Sequence, residues 1–393
     1  MNKIRKNKRT LTIGILIVFL IVFTGGLLWF NSGIQKTPLR PMGGTEFAKA
    51  TVLEVLSSDT AQSEEGELQG NQLVRVKITS GPYAGEECEA QSPNANHTGA
   101  YCSPGLKVVL LVNQDAEGSL VASVYNYDRG GMLWLLIGLF LLVLCLVGGK
   151  RGVTSAVGLV FTFVCIIFLY VPMMYVGVSP FLAATVVAVL VTIVTMLLIG
   201  GWSAKTLCSI LGTVSGVLLA GLLALLFGRL SHISGLNTPD IETLAYIGQN
   251  SGLDVSGVLF SGILIASLGA VMDVSMSVAS ALNEIKLHNP GLTAGRLFRS
   301  GMNIGRDMMG TMSNTLILAF AGGAINTLII LYAYNMPYLQ FMNQYEIGIE
   351  ILRSMTGTLG VILTVPFVSL ISSILLTRST PAANRCETEG EPA

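Results

Sequence analysis

Charged residues are scarce in this chain of 393 residues, since lysine, arginine, aspartate and glutamate make up only 12% of it. Soluble proteins carry about twice that share, roughly 25%. The 23 basic and 23 acidic residues cancel, and hydrophobic residues make up 51% of the chain. The composition therefore excludes a basic nucleic-acid-binding protein, an acidic disordered chain and a water-soluble enzyme with an ordinary surface. It predicts an integral membrane protein.

Motifs for metal binding and catalysis are missing as well. The six cysteines include no CxxC or CxxH spacing, so they do not suggest a zinc or haem site. The sequence has no GxxxxGK[ST], GxSxG or HExxH motif, so an ATPase, a hydrolase and a metalloprotease have no support. We therefore predict neither an enzyme nor a bound metal or cofactor.

Two cysteines differ from the others because they fall in the one long polar segment. Cys88 and Cys102 lie within residues 31–130, between the first two apolar stretches. If this segment faces an oxidising compartment, the two residues can form a disulfide; otherwise they remain free thiols. The sequence leaves both alternatives open.

Eight apolar stretches, of about 18 to 25 residues each, are long enough to cross a bilayer as helices. They lie at 11–30, 132–149, 153–171, 180–200, 207–228, 255–279, 309–334 and 355–376. Basic residues from Lys3 to Arg9 precede the first stretch, and the positive-inside tendency assigns this end to the cytoplasm. Alternation then assigns both termini to the cytoplasmic side. The predicted fold is an α-helical polytopic membrane protein with about eight transmembrane helices.

The chain divides into four predicted regions. They are a basic N-terminus with the first helix (1–31), an extracytoplasmic β domain (32–130), a seven-helix membrane domain (131–377) and a disordered cytoplasmic tail (378–393). In the β domain, Val74, Val76 and Ile78 alternate with Arg75 and Lys77, which predicts a half-buried strand. Further strands are predicted near 49–57, 86–91, 107–113 and 119–127. Five short strands indicate a small all-β barrel of the OB or SH3-like type.

The most informative stretch of the membrane domain begins with a polar stripe. Asp273, Ser277, Ser280 and Glu284 are spaced by four, three and four residues, so they share one face of a helix. A carboxylate inside a membrane helix costs roughly 2.5 to 3.5 kcal/mol on insertion scales. Such a stripe is therefore expected to line a cavity or to meet a partner.

A second polar pattern follows near 293–308 and predicts an amphipathic cytoplasmic helix that leads into the seventh span. Thr293 is its expected N-cap, and Leu297, Ile304 and Met308 form its apolar face. Its polar face is predicted to hold Arg296, Arg299, Ser300, Asn303, Arg306 and Asp307, and it continues as Thr311 and Asn314.

Together the two patterns suggest one candidate site. Asp273 and Asp307 are the candidate residues of an ion or proton relay. The supporting polar residues are Ser277, Ser280, Glu284, Arg299, Asn303, Arg306 and Asn314. The alternative is a structural network of ion pairs and hydrogen bonds that joins the two helices.

Two segments of this stretch resemble a known family. They are GILIASLGAVMDVSMS, from Gly262 to Ser277, and FRSGMNIGRDMMGTMSNTL, from Phe298 to Leu316. Together with GKRG at 149–152 and SAKT at 203–206, they are similar to the YibE/F-like family of bacterial membrane proteins. The resemblance covers most of the chain. It implies a multi-pass protein of the bacterial plasma membrane but no specific activity.

The order of the regions is also similar to one half of a proton-driven RND or SecDF-type transporter. That group has a single span, an external domain, and then a bundle in which an acidic helix precedes an arginine-bearing one. On this resemblance, only Asp273 takes the place of the proton-carrying acid. The extra hairpin at 132–171 and the small external domain depart from the pattern.

From these patterns we predict an ion-coupled secondary transporter or permease of an unknown small solute or ion. Asp273 is the expected carrier, and Asp307, Arg299, Arg306 and Asn314 are expected to shape the inner end of the path. The alternative is a non-transporting scaffold or accessory protein that binds a partner through the β domain. The expected partners are the lipid bilayer and a second copy or another membrane protein, with no nucleic acid.

Overall fold

The computed structural model of the chain describes residues 19, 21–34, 45–62, 68–94, 99–114, 120–237 and 241–378. The basic N-terminus, the first part of the first predicted span and the predicted tail beyond Arg378 lie outside the described residues. Contacts divide the chain into two compact units. One unit holds residues 36–144, and the other holds residues 1–35 and 145–393.

The first unit contains a closed barrel of five strands in the order β1-β2-β3-β5-β4. The strands are β1 (Glu46–Gln62), β2 (Leu68–Ile78), β3 (Glu87–Asn94), β4 (Lys107–Gln114) and β5 (Leu120–Tyr127). The first six residues of β1 pair with β4 and most of its length pairs with β2, so this one long strand closes the barrel. Strands β3 and β5 are parallel, and the other pairs are antiparallel. The predicted five-stranded barrel is confirmed.

Alternating residues build the interior of the barrel, because successive side chains of a strand point to opposite faces. Val74, Val76 and Ile78 are buried as the sequence predicts. Arg75 and Lys77 lie on the outer surface, where Arg75 forms an ion pair of 2.6 Å with a glutamate of β1. Exposed ion pairs contribute little to stability, so the barrel is held mainly by its apolar interior.

The remainder of the described chain is helical. The helices are α1 (Ile21–Ser32), α2 (Gly130–Cys165), α3 (Val171–Tyr175), α4 (Pro180–Gly200), α5 (Ala204–Leu230), α6 (Ile241–Gln249), α7 (Val255–His288), α8 (Ala294–Gly323), α9 (Ile325–Ala333), α10 (Tyr338–Met342) and α11 (Tyr345–Arg378). Five helical stretches are long and apolar enough to cross a membrane, namely Gly130–Tyr175, α4, α5, α7 and α11. The pair α8 and α9 counts as a sixth if the two helices form one broken span.

Two predicted spans, 132–149 and 153–171, lie in two helical segments that meet at a kink, with no loop between them. Helix α2 continues through a π-helical turn, Ile166–Tyr170, into α3. The only interruption of helical dihedral angles inside α2 is at Gly149, with φ 53° and ψ −133°. Glycine adopts this positive-φ conformation without the steric cost that a Cβ would add. The break between the two spans is therefore a single residue.

The predicted amphipathic helix and the seventh span are also joined. Helix α8 runs without interruption from Ala294 to Gly323. The predicted span at 309–334 is not continuous, because the chain bends by 62° at Ala324 before α9 begins. Two consecutive glycines, Gly322 and Gly323, precede the bend, and glycine weakens a helix by about 1 kcal/mol relative to alanine. This explains why the helix ends inside the apolar run.

Small residues bring the helices α5, α7, α8 and α11 close together. A Cβ atom added at Gly212 of α5 would lie 2.8 Å from the Cβ of Val368 in α11. One at Gly216 would overlap the hydroxyl of Thr364, which also lies in α11. Close backbone approach at small residues is the typical mode of packing between apolar helices in lipid. These close contacts set the rotation and spacing of the helices around the candidate residues.

Candidate functional site

Asp273 lies in the second half of α7 and points away from the helix bundle. The neighbouring residues Val271 and Ser275 are buried and face α5, where they approach Gly216 and Gly212. Asp273 itself is exposed. Because 100° of helix rotation separates consecutive residues, Asp273 falls opposite the side of α7 that packs on α5. The carboxylate is therefore not part of the packed interior.

The other residues of the predicted stripe share this outward face. Ser277 and Glu284 are exposed and Ser280 is half-buried, so these residues lie on the outward side of α7 together with Asp273. Gly262, Ala266 and Gly269 extend the same exposed face toward the start of α7. We call the whole set the α7 stripe: Gly262, Ala266, Gly269, Asp273, Ser277, Ser280 and Glu284. Apart from its two acids it consists of small residues only.

Helix α8 has an outward polar face of its own. Leu297, Gly301 and Gly305 are buried, and the last two pack against α11. The predicted polar residues lie on the opposite side. The α8 polar face is our name for six exposed residues of this side: Arg296, Arg299, Asn303, Arg306, Asp307 and Asn314. Thr293 is the N-cap residue as predicted, but its side chain forms no capping hydrogen bond.

The structure does not bring the two candidate acids into a common network. Within the described part of the chain, the side chains of Asp273 and Asp307 form no ion pair or hydrogen bond with a protein group. The same holds for Arg299, Arg306 and Asn314 in the described residues. A network that joins α7 to α8 through these groups is therefore not formed inside one copy.

The two faces nevertheless lie at the same height along the bundle. Helices α7 and α8 are antiparallel neighbours, and a Cβ atom at Gly301 would lie 2.9 Å from Leu282 Cδ1. Asp273 lies nine residues before Leu282, and Gly310 lies nine residues after Gly301. Gly310 is thus level with Asp273. Arg306 and Asn314 are each four residues from Gly310, which is about 6 Å of helix rise.

Buried hydroxyl groups form a second polar feature, which the sequence reasoning missed. Thr213, Ser275 and Ser369 are completely buried, and their hydroxyl oxygens have no hydrogen-bond partner among the described residues. They lie on α5, α7 and α11, where these three helices meet; a Cβ atom at Gly212 would be 3.3 Å from Ser275 Oγ. A Ser or Thr hydroxyl in an apolar helix usually forms a hydrogen bond with the carbonyl four residues earlier. The sequence therefore does not indicate which of these hydroxyl groups are buried without a partner.

No cluster of three or more His, Cys, Asp or Glu side chains that could hold a metal ion occurs in the described ranges. A groove of about 460 Å³ lies between the end of α5 and the start of α11, and its lining includes Ser231, Asn343 and Gln344. A larger, mostly apolar groove of about 590 Å³ lies beside Trp202. Neither groove is lined by Asp273 or Asp307.

Cys88 and Cys102 are free thiols, so the disulfide alternative is not formed in this structure. The backbone N–H of Cys102 donates to Gln72 Oε1 at 2.7 Å, whereas Cys88 pairs with Val76, four residues farther along β2. Four strand residues span about 13 Å, and a disulfide requires Cα atoms within about 7 Å. Burial raises the pKa of both thiols, and the charge of Glu86 raises the pKa of Cys88 further.

Comparison with known proteins gives one match. The family model described as YibE/F-like protein matches residues 136–378, a range that includes most of α2 and all of α3 to α11. No curated protein and no solved structure matches the chain. The matched range contains the α7 stripe and the α8 polar face. Because it covers more than half of the 393 residues, the chain belongs to the YibE/F-like family.

Proposed function

We propose that this chain is an integral protein of the bacterial plasma membrane and that it carries a small solute or ion by an ion-coupled mechanism. The observation that carries the proposal is the environment of Asp273. A carboxylate stands on a 34-residue apolar helix and has no polar partner from its own copy among the described residues. In lipid such a group costs roughly 2.5 to 3.5 kcal/mol, and acids in membrane helices typically mark ion or proton pathways.

The proposed topology has eight spans with both termini in the cytoplasm. The stretch Gly130–Tyr175 has 46 residues. At 1.5 Å per residue it would be about 69 Å long, more than twice the roughly 30 Å of a bilayer core. The break at Gly149 supports two spans in this stretch. The remaining spans are α1, α4, α5, α7, the pair α8–α9, and α11.

The proposed position of the barrel is outside the cell, with a fold of the OB type. The strand order β1-β2-β3-β5-β4 and the parallel pairing of β3 with β5 favour the OB type over the SH3-like type. A domain of this kind can contact a partner or a second copy without entering the bilayer.

In the proposed mechanism a proton or a monovalent cation binds the carboxylate of Asp273 and neutralises it. Neutralisation removes most of the cost of holding this group away from water, so the loaded and unloaded forms favour different arrangements of the helices. Ser277 lies one helical turn from Asp273 and can donate a hydrogen bond toward the carboxylate or a bound solute. Asp307 and the arginines of the α8 polar face shape the cytoplasmic end of the path.

The test compares cells that overproduce the wild type with cells that overproduce Asp273→Asn at equal membrane levels. The element and metabolite contents of both are measured. The matched control is Asp254→Asn, the same substitution at the N-cap of the same helix, where asparagine caps as well as aspartate does. We expect one solute to shift in the wild type and in the control but not in Asp273→Asn. If Asp273→Asn shifts that solute as the wild type does, the carrier role is wrong.

The topology has its own test. In a background without native cysteines, a single cysteine near Lys205 and another near Glu242 should be labelled from opposite sides of the membrane. Labelling of both from the same side would contradict the eight-span arrangement.

One observation favours the scaffold alternative. Phe47 and Tyr125 form an edge-to-face pair on the outside of the barrel, with ring centroids 5.3 Å apart and exposures of 47% and 48%. Exposed aromatic residues are enriched in protein interfaces. If the barrel binds a partner, replacing both residues by serine in the full chain abolishes chemical cross-linking to that partner. Unchanged cross-linking would count against this alternative.

A further inference from the structure

Among the described residues, the side chains of the α7 stripe and of the α8 polar face form no hydrogen bond or ion pair with each other, and the two faces are complementary. The α7 stripe offers the carboxylates Asp273 and Glu284 on a surface of glycine, alanine and serine. The α8 polar face offers three guanidinium groups and two amides against a single carboxylate, Asp307. Opposite charges on faces of this kind favour their pairing.

The shapes of the two faces also permit close contact. Gly262 and Gly269 have no heavy atom within 4 Å of an added Cβ, so the α7 stripe is an open, shallow surface. Gly310, on α8 at the level of Asp273, is equally open. Small residues at such positions allow two helix backbones to approach each other in lipid.

No described element of the same copy covers either face. The α7 stripe points away from α5, and the α8 polar face points away from α11. Pairing of each face with its own equivalent is unfavourable, since it would place Asp273 against Asp273 or arginine against arginine. The complementary partner already contained in the same sequence is the other face.

We propose that two copies of this chain pair across a two-fold axis, with the α7 stripe of each copy against the α8 polar face of the other. A two-fold axis along the membrane normal keeps every residue at its own height. Asp273 therefore faces the level of Gly310 in the second copy, between Arg306 and Asn314 of that copy. Both faces of both copies are satisfied by one closed dimer.

This inference rests on the membrane setting of the proposed function, and it names the groups that complete the surroundings of Asp273. Its test measures assembly and not flux, so the two proposals can fail separately. A dimer without transport would leave the pairing intact. Transport by a monomer would overturn the pairing and leave the carrier role of Asp273 intact.

The first measurement is cross-linking between differently tagged copies in proteoliposomes that contain only the purified chain. One copy carries Ser280→Cys and the other Asn303→Cys, in a background without native cysteines. Ser280 lies two residues before Leu282 and Asn303 two residues after Gly301, so the pairing predicts that they face each other. We expect oxidation to give a dimer with both tags. Either variant alone serves as the control and is expected to give little product.

The second measurement exchanges the charges between copies. Asp273→Arg alone and Arg306→Asp alone are each expected to lower dimer yield by roughly tenfold or more. A mixture of the two variants restores the yield, because one contact regains a reversed pair and the reciprocal contact keeps the original pair. A contact inside one copy would instead be restored only when both substitutions are in the same chain.

Three results would overturn the proposal. The first is that either cysteine variant alone gives as much cross-linked dimer as the mixture, and the second is that the mixture gives no dimer with both tags when Asp273 and Arg306 are unchanged. The third is that the dimer yield is restored only when Asp273→Arg and Arg306→Asp are in the same chain. If Asp273→Arg fails to fold, Asp273→Asn mixed with the wild type replaces it, and an intermediate dimer yield is then expected. A dimer that forms in cells but not in proteoliposomes would indicate a different partner protein and would also overturn self-pairing.

Discussion

Leu282 of α7 contacts α8 at Gly301, where a Cβ atom would lie 2.9 Å from Leu282 Cδ1 and 2.6 Å from Ser369 Oγ. One small residue thus allows α7, α8 and α11 to meet at a single point. The same contact sets the register between α7 and α8, and it therefore determines which residues of α8 are level with Asp273.

The first prediction is that Gly301→Val destabilises the helical unit by about 1 to 3 kcal/mol, because the added carbons overlap Leu282 and Ser369. The measurement is the midpoint of thermal unfolding in detergent. Gly295→Val, on the same helix, is the control, since nothing lies within 4 Å of a Cβ at Gly295. Equal midpoints for the two variants would show that this contact is not close in the folded protein.

The second prediction concerns two glycines of the barrel unit with positive φ. Gly99 (φ 82°) and Gly105 (φ 86°) both lie in the left-handed region, but a Cβ at Gly99 would overlap the carbonyl of Pro93 while Gly105 is open. Alanine costs roughly 1 kcal/mol at either position for its backbone conformation. Gly99→Ala should therefore destabilise the barrel clearly more than Gly105→Ala, as measured by limited proteolysis of the full chain. The reverse order would contradict the structure of this loop.

The third prediction concerns pH. A hydrogen bond of 2.9 Å from Lys49 Nζ, aided by one from the backbone of Gly130, lowers the pKa of Asp128 below its usual value. Because this pKa is lower in the folded than in the unfolded chain, the ionised carboxylate stabilises the folded barrel above about pH 4. The contribution is lost as the pH falls through the folded pKa. It is small, at most about 1 kcal/mol, because Lys49 is largely exposed.

The measurement for this prediction is the rate at which Cys102, as a single cysteine, reacts with a disulfide reagent that is active in acid. Cys102 is buried in the barrel, so the reaction reports opening of the barrel. Between about pH 5 and about pH 3 the rate should rise more in the wild type than in Asp128→Asn. Identical pH profiles would show that the ion pair does not contribute.

The fourth prediction is that Cys88 and Cys102 both remain reduced in the purified chain and that Cys88 reacts first with an alkylating reagent. Cys88 is half-buried and Cys102 is 2% exposed, and burial raises the pKa of both thiols, which disfavours the reactive thiolate. Mass spectrometry without reduction measures the modification over time. Cys88→Ala should leave the slow reaction of Cys102 unchanged. A peptide pair linked through the two cysteines would contradict the geometry of the barrel.

Local patterns in the sequence were sufficient for the parts of the fold that depend on one element at a time. The alternation at Val74, Val76 and Ile78 predicted the strand β2, and the spacing from Asp273 to Glu284 predicted one helical face. Both follow from the repeat of a single strand or helix, so neither requires knowledge of a distant residue. The YibE/F-like family could be recognised for the same reason, because its motifs are contiguous runs.

Boundaries between helices were predicted less well. The sequence suggested a short loop after residue 149 and an uninterrupted span over 309–334, entered from the amphipathic helix. The structure instead has a one-residue break at Gly149 and a continuous α8 that ends at Gly323. Apolar composition alone does not mark where a long helix bends, because the bend depends on single glycines and on what the helix packs against.

The composition and periodicity of the sequence by themselves determined an apolar helical protein with a small β domain and a polar face on each of α7 and α8. Only the tertiary structure decided that these two faces do not meet inside one copy. The reason is that α7 packs on α5 and α8 packs on α11 through glycine and buried hydroxyl contacts, such as those of Gly212 with Ser275 and Gly301 with Ser369. Contacts between residues far apart in the chain set the rotation of each helix. That rotation turns Asp273 outward, away from α5, and turns the arginines outward, away from α11.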